Sequence, residues 1–383
     1  MEAEGSPFIF DAPLPPEEVF GREAELGALV DRALRPRNVL LYGPRRHGKT
    51  SLINRLAFEA AHTKAFVVVL VDFEGVLSLL DITRRLEDAY RRLGDGPVAK
   101  AARASLAALA RVGFSLSAGP ASVAVGHPTP GPTATLERLL DLPWEVSGRT
   151  GERILVVFDE FQAIGDVPNA DAVICSKIQH QRERVSYLFA GSEQGMLRSI
   201  FADRARPLYG QAEQLVLSGL DDVVVVEMIT GKFSATGRDP GEALEALVAL
   251  AAGHPQRVAV LGDALWHATP EGSTADLTNW AAALDAALRM ADPEFRALDS
   301  GITAVQRRVL RVLAAGEPPF GAAAAHLGLS KASARDALTA LVARSIVAAT
   351  QGPPPPRRYS IVDPLYAAWV RSRRLPAPFP KRI

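Results

Sequence analysis

The chain has 383 residues and a formal net charge of zero, with 48% hydrophobic and 22% charged residues. This balance excludes a chain that is disordered throughout, because disorder goes with low hydrophobicity and high net charge, and the length allows two or three domains. The single cysteine, Cys175, excludes an intramolecular disulfide and a cysteine-ligated metal cluster.

The charges are distributed unevenly along the chain. Residues 301–383 carry 13 Lys and Arg against 3 Asp and Glu, a net charge of +10, and the rest of the chain carries the balancing −10. A basic terminal segment indicates an anionic partner for that segment. The alternative is an internal docking face between the basic and acidic parts of the chain.

No segment has the pattern of a signal peptide or a membrane span. The N-terminus contains Glu2 and Glu4 and no basic stretch. The most apolar run, residues 65–71, ends at Asp72 and is far shorter than the ~20 residues that cross a bilayer. We therefore expect a soluble cytoplasmic protein without a membrane partner.

Residues 1–19, rich in Pro and acid, are predicted to be a loose leader. Strand and helix signals then alternate over residues 20–220, where five apolar runs predict strands at 38–42, 66–71, 153–158, 185–190 and 214–217. Continuous apolar runs separated by helices indicate a parallel α/β sheet whose strands are buried on both faces. Residues 95–133, rich in Ala, Gly, Ser and Pro, are predicted to be an insertion with a mobile loop and a hairpin.

The strand signals stop after Leu220. Residues 221–298 have helical patterns at 221–235, 241–252, 255–267 and 277–289, which predict a separate helical domain. Residues 299–383 have a pattern of three helices, at 305–313, 322–327 and 331–344, followed by a hairpin at 346–361. This is the pattern of a winged helix-turn-helix.

The sequence GPRRHGKT at residues 43–50 fits the phosphate-binding pattern G-x-x-x-x-G-K-[ST], between a predicted buried strand and a predicted helix. The glycines allow backbone N–H groups to wrap a phosphate, and the helix N-terminus adds a favourable dipole. We expect Lys49 to reach the β- and γ-phosphates and the Thr50 hydroxyl to hold Mg²⁺. The predicted nucleotide-binding residues of this P-loop are Gly43, Pro44, Arg45, Arg46, His47, Gly48, Lys49, Thr50 and Ser51.

Two further strand ends carry polar residues. Asp159 and Glu160 follow the third predicted strand, where Asp159 would complete the Mg²⁺ shell and Glu160 would polarise the attacking water. The presence of both acids favours hydrolysis over binding alone. Ser192 follows the fourth strand and is expected between the P-loop and the acidic pair, where it would orient the water or sense the γ-phosphate. The alternative for Ser192 is an ordinary turn residue.

These motifs, together with FGREAEL at 20–26, DEFQ at 159–162, AGS at 190–192 and PLYG at 207–210, resemble the archaeal-type ATPases. These are P-loop proteins related to the AAA+ and STAND ATPases, and a C-terminal winged helix is common among them. The resemblance extends over residues 18–270. It implies a P-loop NTPase fold of the AAA+/STAND type, α/β, with a parallel sheet core at 20–220, a helical lid at 221–298 and a winged helix-turn-helix domain at 299–383.

The resemblance also implies ATP as the nucleotide and further contacts to it. Gly21 and Arg22 lie in the stretch that approaches the adenine, and Pro255 lies in a Gly-x-Pro turn of the lid that approaches the nucleotide. Arg257 is a candidate phosphate sensor, with a solvated helix arginine as the alternative. Many relatives have Arg after PLYG, where this chain has Gln211. Arg204 and Arg206, just upstream, are the candidates for an arginine finger acting on a neighbouring subunit, and the alternative is a solvated loop charge.

If the C-terminal domain binds duplex DNA, its third helix enters the major groove and its hairpin meets phosphates. The predicted DNA contacts are Lys331, Ser333, Arg335, Arg357 and Arg358. Winged helices also dock proteins, and that alternative stays open. We therefore expect an ATPase that binds ATP and Mg²⁺, releases ADP and phosphate, forms a homo-oligomer and couples its nucleotide state to the basic domain. The alternatives are a slow-turnover STAND-type switch that docks proteins, and a DNA-binding protein with a vestigial site.

Overall fold

The computed structural model describes residues 5–112, 114, 130–192, 194–350 and 358–373. They form two compact units. The sheet unit consists of residues 15–45 and 49–217. The helical unit consists of residues 1–14, 46–48 and 218–383, as far as they are described.

Five parallel strands form the centre of the sheet unit: β1 (Val39–Tyr42), β2 (Val67–Asp72), β3 (Ile154–Asp159), β4 (Val185–Gly191) and β5 (Glu213–Val216). Their spatial order is β2-β3-β4-β1-β5, so the predicted parallel α/β sheet is confirmed. Every residue of β1, β3 and β4 is buried, as continuous apolar runs predict. Both edge strands, β2 and β5, include exposed residues, because each has a neighbouring strand on one side only.

Helices cover both faces of this sheet: α1 (Glu23–Leu34), α2 (Lys49–Thr63), α3 (Leu79–Arg91), α4 (Pro97–Arg111), α5 (Pro132–Thr150), α6 (Ala170–Ile178) and α7 (Gln194–Ala202). Side chains of α1 and α2 form one hydrophobic cluster with β1, including Leu29, Leu52 and Leu41. Side chains of α3, α4 and α5 form the other with β3, including Leu86, Leu106, Leu139 and Phe158. Both faces of the sheet are therefore covered, and the polar residues at the carboxyl ends of its strands are where a ligand is expected to bind.

Within the stretch predicted as an insertion, residues 95–133, the structure describes the 15-residue helix α4 at Pro97–Arg111. Its residues Val98, Ala102, Leu106 and Leu109 are buried in the core, and Pro97 occupies the first turn, where a missing N–H costs nothing. Sequence analysis assigned no helix to these residues, although their many alanines are strong helix formers. The hairpin predicted at 115–125 lies outside the described residues.

The helical unit contains α8 (Asp222–Ser234), α9 (Ala243–Ala251), α10 (Pro255–Ala268), α11 (Leu277–Ser300), α12 (Ala304–Ala314), α13 (Ala322–His326), α14 (Lys331–Ala343), β6 (Val347–Thr350), β7 (Arg358–Ile361) and α15 (Pro364–Ser372). One hydrophobic cluster extends from Val225 to Trp369, so the segments predicted as lid and as terminal domain share a core. The last elements are three helices followed by an antiparallel strand pair, which is the element order predicted for a winged helix. No helix in the described part of the chain is long and apolar enough to cross a membrane.

The N-terminal segment belongs to both units rather than forming a loose leader. Phe8 is buried in the helical unit, where its ring lies 6.1 Å from that of Phe233, and Lys232 Nζ donates a hydrogen bond to Pro7 O (2.7 Å). In the sheet unit, Arg55 Nη1 donates to Pro16 O (2.8 Å). Apolar residues among the prolines thus anchor a segment whose composition alone indicated disorder.

Candidate functional site

The carboxyl edge of the sheet brings three of the predicted motifs together. The P-loop follows β1, Asp159 ends β3 and Gly191 ends β4, with β4 hydrogen-bonded to both β1 and β3. The register pairs Tyr42, directly before the P-loop, with Gly191. Ser192 therefore lies between the P-loop and the acidic pair, at the edge where ligands of open α/β sheets bind.

The P-loop backbone has conformations that only some residues adopt easily. A Cβ at Gly43 would lie 2.5 Å from the carbonyl oxygen of Leu217, so a side chain does not fit there. Gly48 (φ 84°) and Arg46 (φ 67°) are in the left-handed region. The loop leads into the 15-residue helix α2 at Lys49. The N-terminus of a helix directs backbone N–H groups and the positive end of the helix dipole at a ligand, which suits a bound phosphate.

Lys49 is a buried cation held at this loop by backbone carbonyl groups. Its Nζ donates to Gly43 O (2.9 Å) and Pro44 O (3.0 Å), and the residue is 6% exposed. Burial lowers the pKa of Lys49 to about 8, opposed by the nearby carboxylates of Glu160 and Asp159. An anionic phosphate beside Nζ would stabilise the charged form, so this lysine fits the γ- and β-phosphates of a nucleotide.

Thr50 and Asp159 present two oxygen ligands side by side. Thr50 Oγ1 donates to Asp159 Oδ2 (3.2 Å), and Asp159 Oδ1 accepts from the backbone N–H of Glu160 (3.0 Å). Burial is the main cause that raises the pKa of Asp159. Hydroxyl and carboxylate oxygens suit Mg²⁺. In the described part of the chain, no three His, Cys, Asp or Glu side chains lie together as a metal cage.

Glu160 directly follows the buried strand β3 and leaves it in the left-handed conformation (φ 48°, ψ 41°). Its Oε2 accepts hydrogen bonds from Gln162 Nε2 and, at 3.4 Å, from Ser192 Oγ. The sequence predicted Glu160 and Ser192 as site residues but not Gln162. The sequence showed only that Gln162 lies two residues after the acidic pair. That position does not reveal whether the side chain turns toward Glu160.

Among the nucleotide contacts predicted upstream, Gly21 has a left-handed backbone (φ 63°), and Arg22 is buried at the start of α1. Arg22 Nη1 forms an ion pair with Glu25 Oε1 (3.0 Å). Ser51, the residue after Thr50, is buried in the first turn of α2. The Gly21–Arg22 turn is thus fixed by its own helix, with the Arg22 guanidinium held by a carboxylate.

Three P-loop residues, Arg46, His47 and Gly48, belong to the helical unit. Arg46 Nη1 lies 2.6 Å from Glu294 Oε1 of α11, and the ring of His47 lies 4.6 Å from that of His254. His254 accepts from the Arg257 backbone N–H at the start of α10 (3.4 Å), and Pro255 is the first residue of that helix. Burial lowers the pKa of His254 to about 4, which keeps its ring neutral at physiological pH.

Arg257, the candidate phosphate sensor, is paired inside the helical unit. It is 2% exposed, its Nε donates to Asp363 Oδ1 (3.0 Å), and its Nη2 lies 2.5 Å from Asp363 Oδ2. A second carboxylate, Glu294, lies 3.9 Å away. The guanidinium is therefore occupied by carboxylates of α11 and of the turn before α15.

The two arginine-finger candidates differ in their surroundings. Arg204 is exposed, whereas Arg206 is half-buried and forms an ion pair with Asp171 Oδ2 (3.3 Å). Gln211, which replaces the arginine of many relatives, accepts a hydrogen bond from Arg182. Of the two candidates, Arg204 is the one presented to solvent.

The predicted DNA contacts lie on α14 and β7. Lys331 and Arg335 are exposed on the first two turns of α14, and Arg358 is exposed at the start of β7. Ser333 is half-buried, and its hydroxyl donates to Ser330 O (3.0 Å) as part of the helix cap, which makes it a structural residue. Arg357 lies outside the described residues.

Comparison with known proteins agrees with this site. Residues 18–195 match a family model described as "AAA ATPase domain". The fold is similar to that of the Walker-type ATPase of Pyrococcus abyssi (TM-score 0.65, 20% identity, 93% of this chain and 97% of that chain). It is also similar to that of the ORC2 protein of Aeropyrum pernix in ADPNP–ADP complexes (TM-score 0.56, 14% identity, 94% of this chain and 97% of that chain). No curated protein matches the chain.

The parallel sheet, the P-loop and the acidic strand end define a P-loop ATPase. Residues 18–195 match an AAA ATPase domain, which agrees with the predicted P-loop ATPase. At these identities the similarity to solved structures is one of fold, so the roles of individual residues follow from the geometry above.

Proposed function

We propose that Lys49, Thr50, Asp159 and Glu160 carry ATP hydrolysis in this chain, and that the nucleotide state controls binding of duplex DNA by the C-terminal elements. The observation that carries the first part is the acidic pair at the end of β3, next to the P-loop on the same sheet edge. A bound Mg²⁺ would neutralise phosphate charge. Thr50 and Asp159 are the side chains that hold it, and Lys49 stabilises charge on the β- and γ-phosphates.

Glu160 acts as the general base. Its carboxylate accepts a proton from water while the water oxygen bonds to the γ-phosphorus. The bond between that phosphorus and the bridging oxygen breaks, and ADP and phosphate leave. Ser192, which donates to Glu160 Oε2, lies where it can orient the same water.

The other predicted nucleotide contacts have supporting but passive roles. The backbone of residues 43–48 wraps the phosphates, and Ser51 is in the first turn of α2 behind them. Gly21 and Arg22 are assigned to the adenine side. Pro255 is assigned to the lid turn, next to His254, whose ring contacts that of His47.

Duplex DNA is the partner that best fits the charge of the terminal segment. Residues 301–383 have a net charge of +10. Their exposed cations lie on the helix α14 and the strand β7, which correspond to the recognition helix and the hairpin of a winged helix. Lys331 and Arg335 are assigned to the groove, and Arg357 and Arg358 to phosphates. The salt dependence of binding follows from the counterions that such contacts release.

The experiment measures phosphate release with and without duplex DNA, and DNA affinity by anisotropy at several salt concentrations. DNA should stimulate turnover. The double variant Lys331→Ala/Arg335→Ala, at the groove, should lose that stimulation. Arg358→Ala, at a phosphate, should flatten the salt slope by about 0.9, the change expected for one phosphate contact. The control is Arg289→Ala, an exposed arginine on α11 paired with Asp285. Turnover that ignores DNA would contradict the coupling and favour a protein partner.

A regulatory switch with slow turnover is the second candidate. It is favoured by Gln211 in place of arginine and by the ion pair that holds Arg206 against Asp171. If the chain is an assembling ATPase instead, Arg204 is the residue that reaches a neighbouring copy. Arg204→Ala should then lower turnover by ~10³-fold or more, whereas a switch would be unaffected by this change.

A further inference from the structure

We propose that Gln162 is a positioning residue for hydrolysis, which holds the Glu160 carboxylate through its side-chain amide, and that Gly191 leaves the space this amide needs. The inference rests on the proposed role of Glu160 as the base. It adds a residue that acts on the base through a hydrogen bond within the sheet unit.

The first observation is the hydrogen bond itself. Gln162 is 8% exposed, and its Nε2 donates to Glu160 Oε2. An ionised carboxylate only accepts hydrogen bonds, so the NH₂ group of the amide, rather than its oxygen, faces Glu160. Gln162 Oε1 is then buried, and it has no hydrogen-bond partner among the described residues. The bond to Glu160 is therefore the polar interaction that favours an amide over an apolar side chain here.

The second observation is the position of Gly191 at the end of β4. A Cβ at this residue would lie 2.0 Å from Gln162 Oε1 and 3.0 Å from Leu197 Cδ1. Real Cβ atoms do not approach other atoms so closely, so any side chain at Gly191 would displace the amide. The backbone of Gly191 has an ordinary strand conformation, which any residue can adopt. Glycine is therefore needed here for the space that the Gln162 side chain occupies.

The third observation is that the segment carrying Gln162 is rigid. Gln162 lies in a single 3₁₀ helix at Phe161–Asp166, and Phe161 is fully buried with its ring 4.7 Å from that of Phe189. By contrast, Ser192 Oγ reaches Glu160 Oε2 at 3.4 Å, which is long for a hydrogen bond between oxygens. Gln162 is therefore the better fixed of the two donors, and it determines where the carboxylate points when water attacks.

The test compares Gln162→Leu with the wild-type full chain. Loss of the donor should lower kcat by about 10- to 100-fold, because a misdirected base loses much of its contribution. The KM and the Kd for ATP should stay within about twofold, since the P-loop binds the phosphates. The matched control is Gln181→Leu, a buried glutamine whose Nε2 donates to Leu140 O (2.9 Å): it should lose stability but keep kcat.

A double-mutant cycle separates positioning from general damage. Gly191→Ala should lower kcat in the wild type but add little in the Gln162→Ala background, where the amide that the methyl group displaces is gone. Gln162→Leu should also add nothing to Glu160→Gln. An unchanged kcat in Gln162→Leu, with turnover abolished by Glu160→Gln, would overturn this inference and leave the proposed function standing. Turnover that survives Glu160→Gln would overturn the proposed function itself.

Discussion

At the scale of single residues, the site depends on buried side chains whose charge is controlled by their surroundings. Lys49 and Asp159 are both buried, and burial shifts the pKa of each toward the neutral form. Bound nucleotide and Mg²⁺ would supply the opposite charges, so the charged forms of both side chains would be most stable when the ligand is present. In the helical unit, burial likewise favours the neutral form of His254, whose ring lies beside the carboxylate of Asp363 and the cations Arg257 and Arg46.

The pKa of His254 predicts a specific acid sensitivity. With a pKa of about 4 in the folded chain and about 6.5 unfolded, the unfolded state binds more protons between these values. The stability associated with the neutral ring is complete above pH 6.5 and is lost as the pH falls toward 4. Urea unfolding should show that His254→Asn, which keeps a capping side chain, loses about 2 kcal/mol less than wild type between pH 7 and pH 5.

His267→Asn is the control for this measurement, because His267 is exposed on the same helix. This variant controls for a histidine-to-asparagine substitution at an exposed position of α10. An identical pH dependence in His254→Asn and wild type would show that the ring of His254 is not held neutral by the fold.

At the scale of elements, one carboxylate joins two helices of the helical unit. Asp363 accepts from the backbone N–H groups of Leu365 and Tyr366 at the start of α15, and it also pairs with Arg257 of α10. The Arg257 guanidinium lies 5.4 Å from the Phe295 ring centroid, and the Phe295 ring packs on Tyr366. The last helix is thus attached to the segment predicted as a lid by a buried ion pair as well as by apolar contacts.

Removal of this carboxylate should be costly. Asp363→Ala leaves the buried Arg257 charge without its main partner and should lower the free energy of unfolding by about 3–5 kcal/mol. Asp363→Asn keeps the helix cap and should cost less. Asp285→Ala, which breaks the exposed pair with Arg289, is the control and should cost less than about 1 kcal/mol. If Asp363→Ala also lowered the free energy of unfolding by less than about 1 kcal/mol, the coupling of α10 to α15 would be contradicted.

The elements that the sequence predicts well are those with a local signal. The five strands were found within one residue at each end, because buried apolar runs ending in Gly, Asp or Ser are visible without tertiary information. Helix α11 continues to Ser300 through Pro293, although the pattern predicted an end at Arg289, because its last turns pack Phe295 against the rings of Tyr366 and Trp369. Tertiary packing there outweighs the helix-breaking tendency of proline.

In the candidate site, too, the motifs that are contiguous in sequence were predicted, whereas contacts that depend on tertiary structure were not. The P-loop and Asp159–Glu160 are contiguous in sequence, and the pattern alone identified them. The bond from Gln162 to Glu160 depends on which way one side chain turns, and the room at Gly191 depends on strand order. The pairing of Arg257 with Asp363 joins residues that are 106 positions apart, and no periodicity in the sequence predicts it.

At the scale of the whole molecule, the chain combines an ATPase domain with a helical unit that ends in strongly basic elements. The ATPase assignment follows from the AAA ATPase domain that residues 18–195 match, whereas the proposed coupling to DNA rests on the charge of residues 301–383 and the exposed cations of α14 and β7. The acidic pair beside the P-loop is therefore the feature on which both proposals depend. Both the assignment of Gln162 and the coupling to DNA assume turnover at this place.

The most direct test is phosphate release by the purified full chain with Mg²⁺ and ATP, measured beside Glu160→Gln. We expect the wild type to turn over, and the variant to lose turnover by about 10²- to 10⁴-fold while it binds ATP with an unchanged Kd, because only the base is removed. Turnover in Glu160→Gln equal to that of the wild type would contradict the assignment of the catalytic centre.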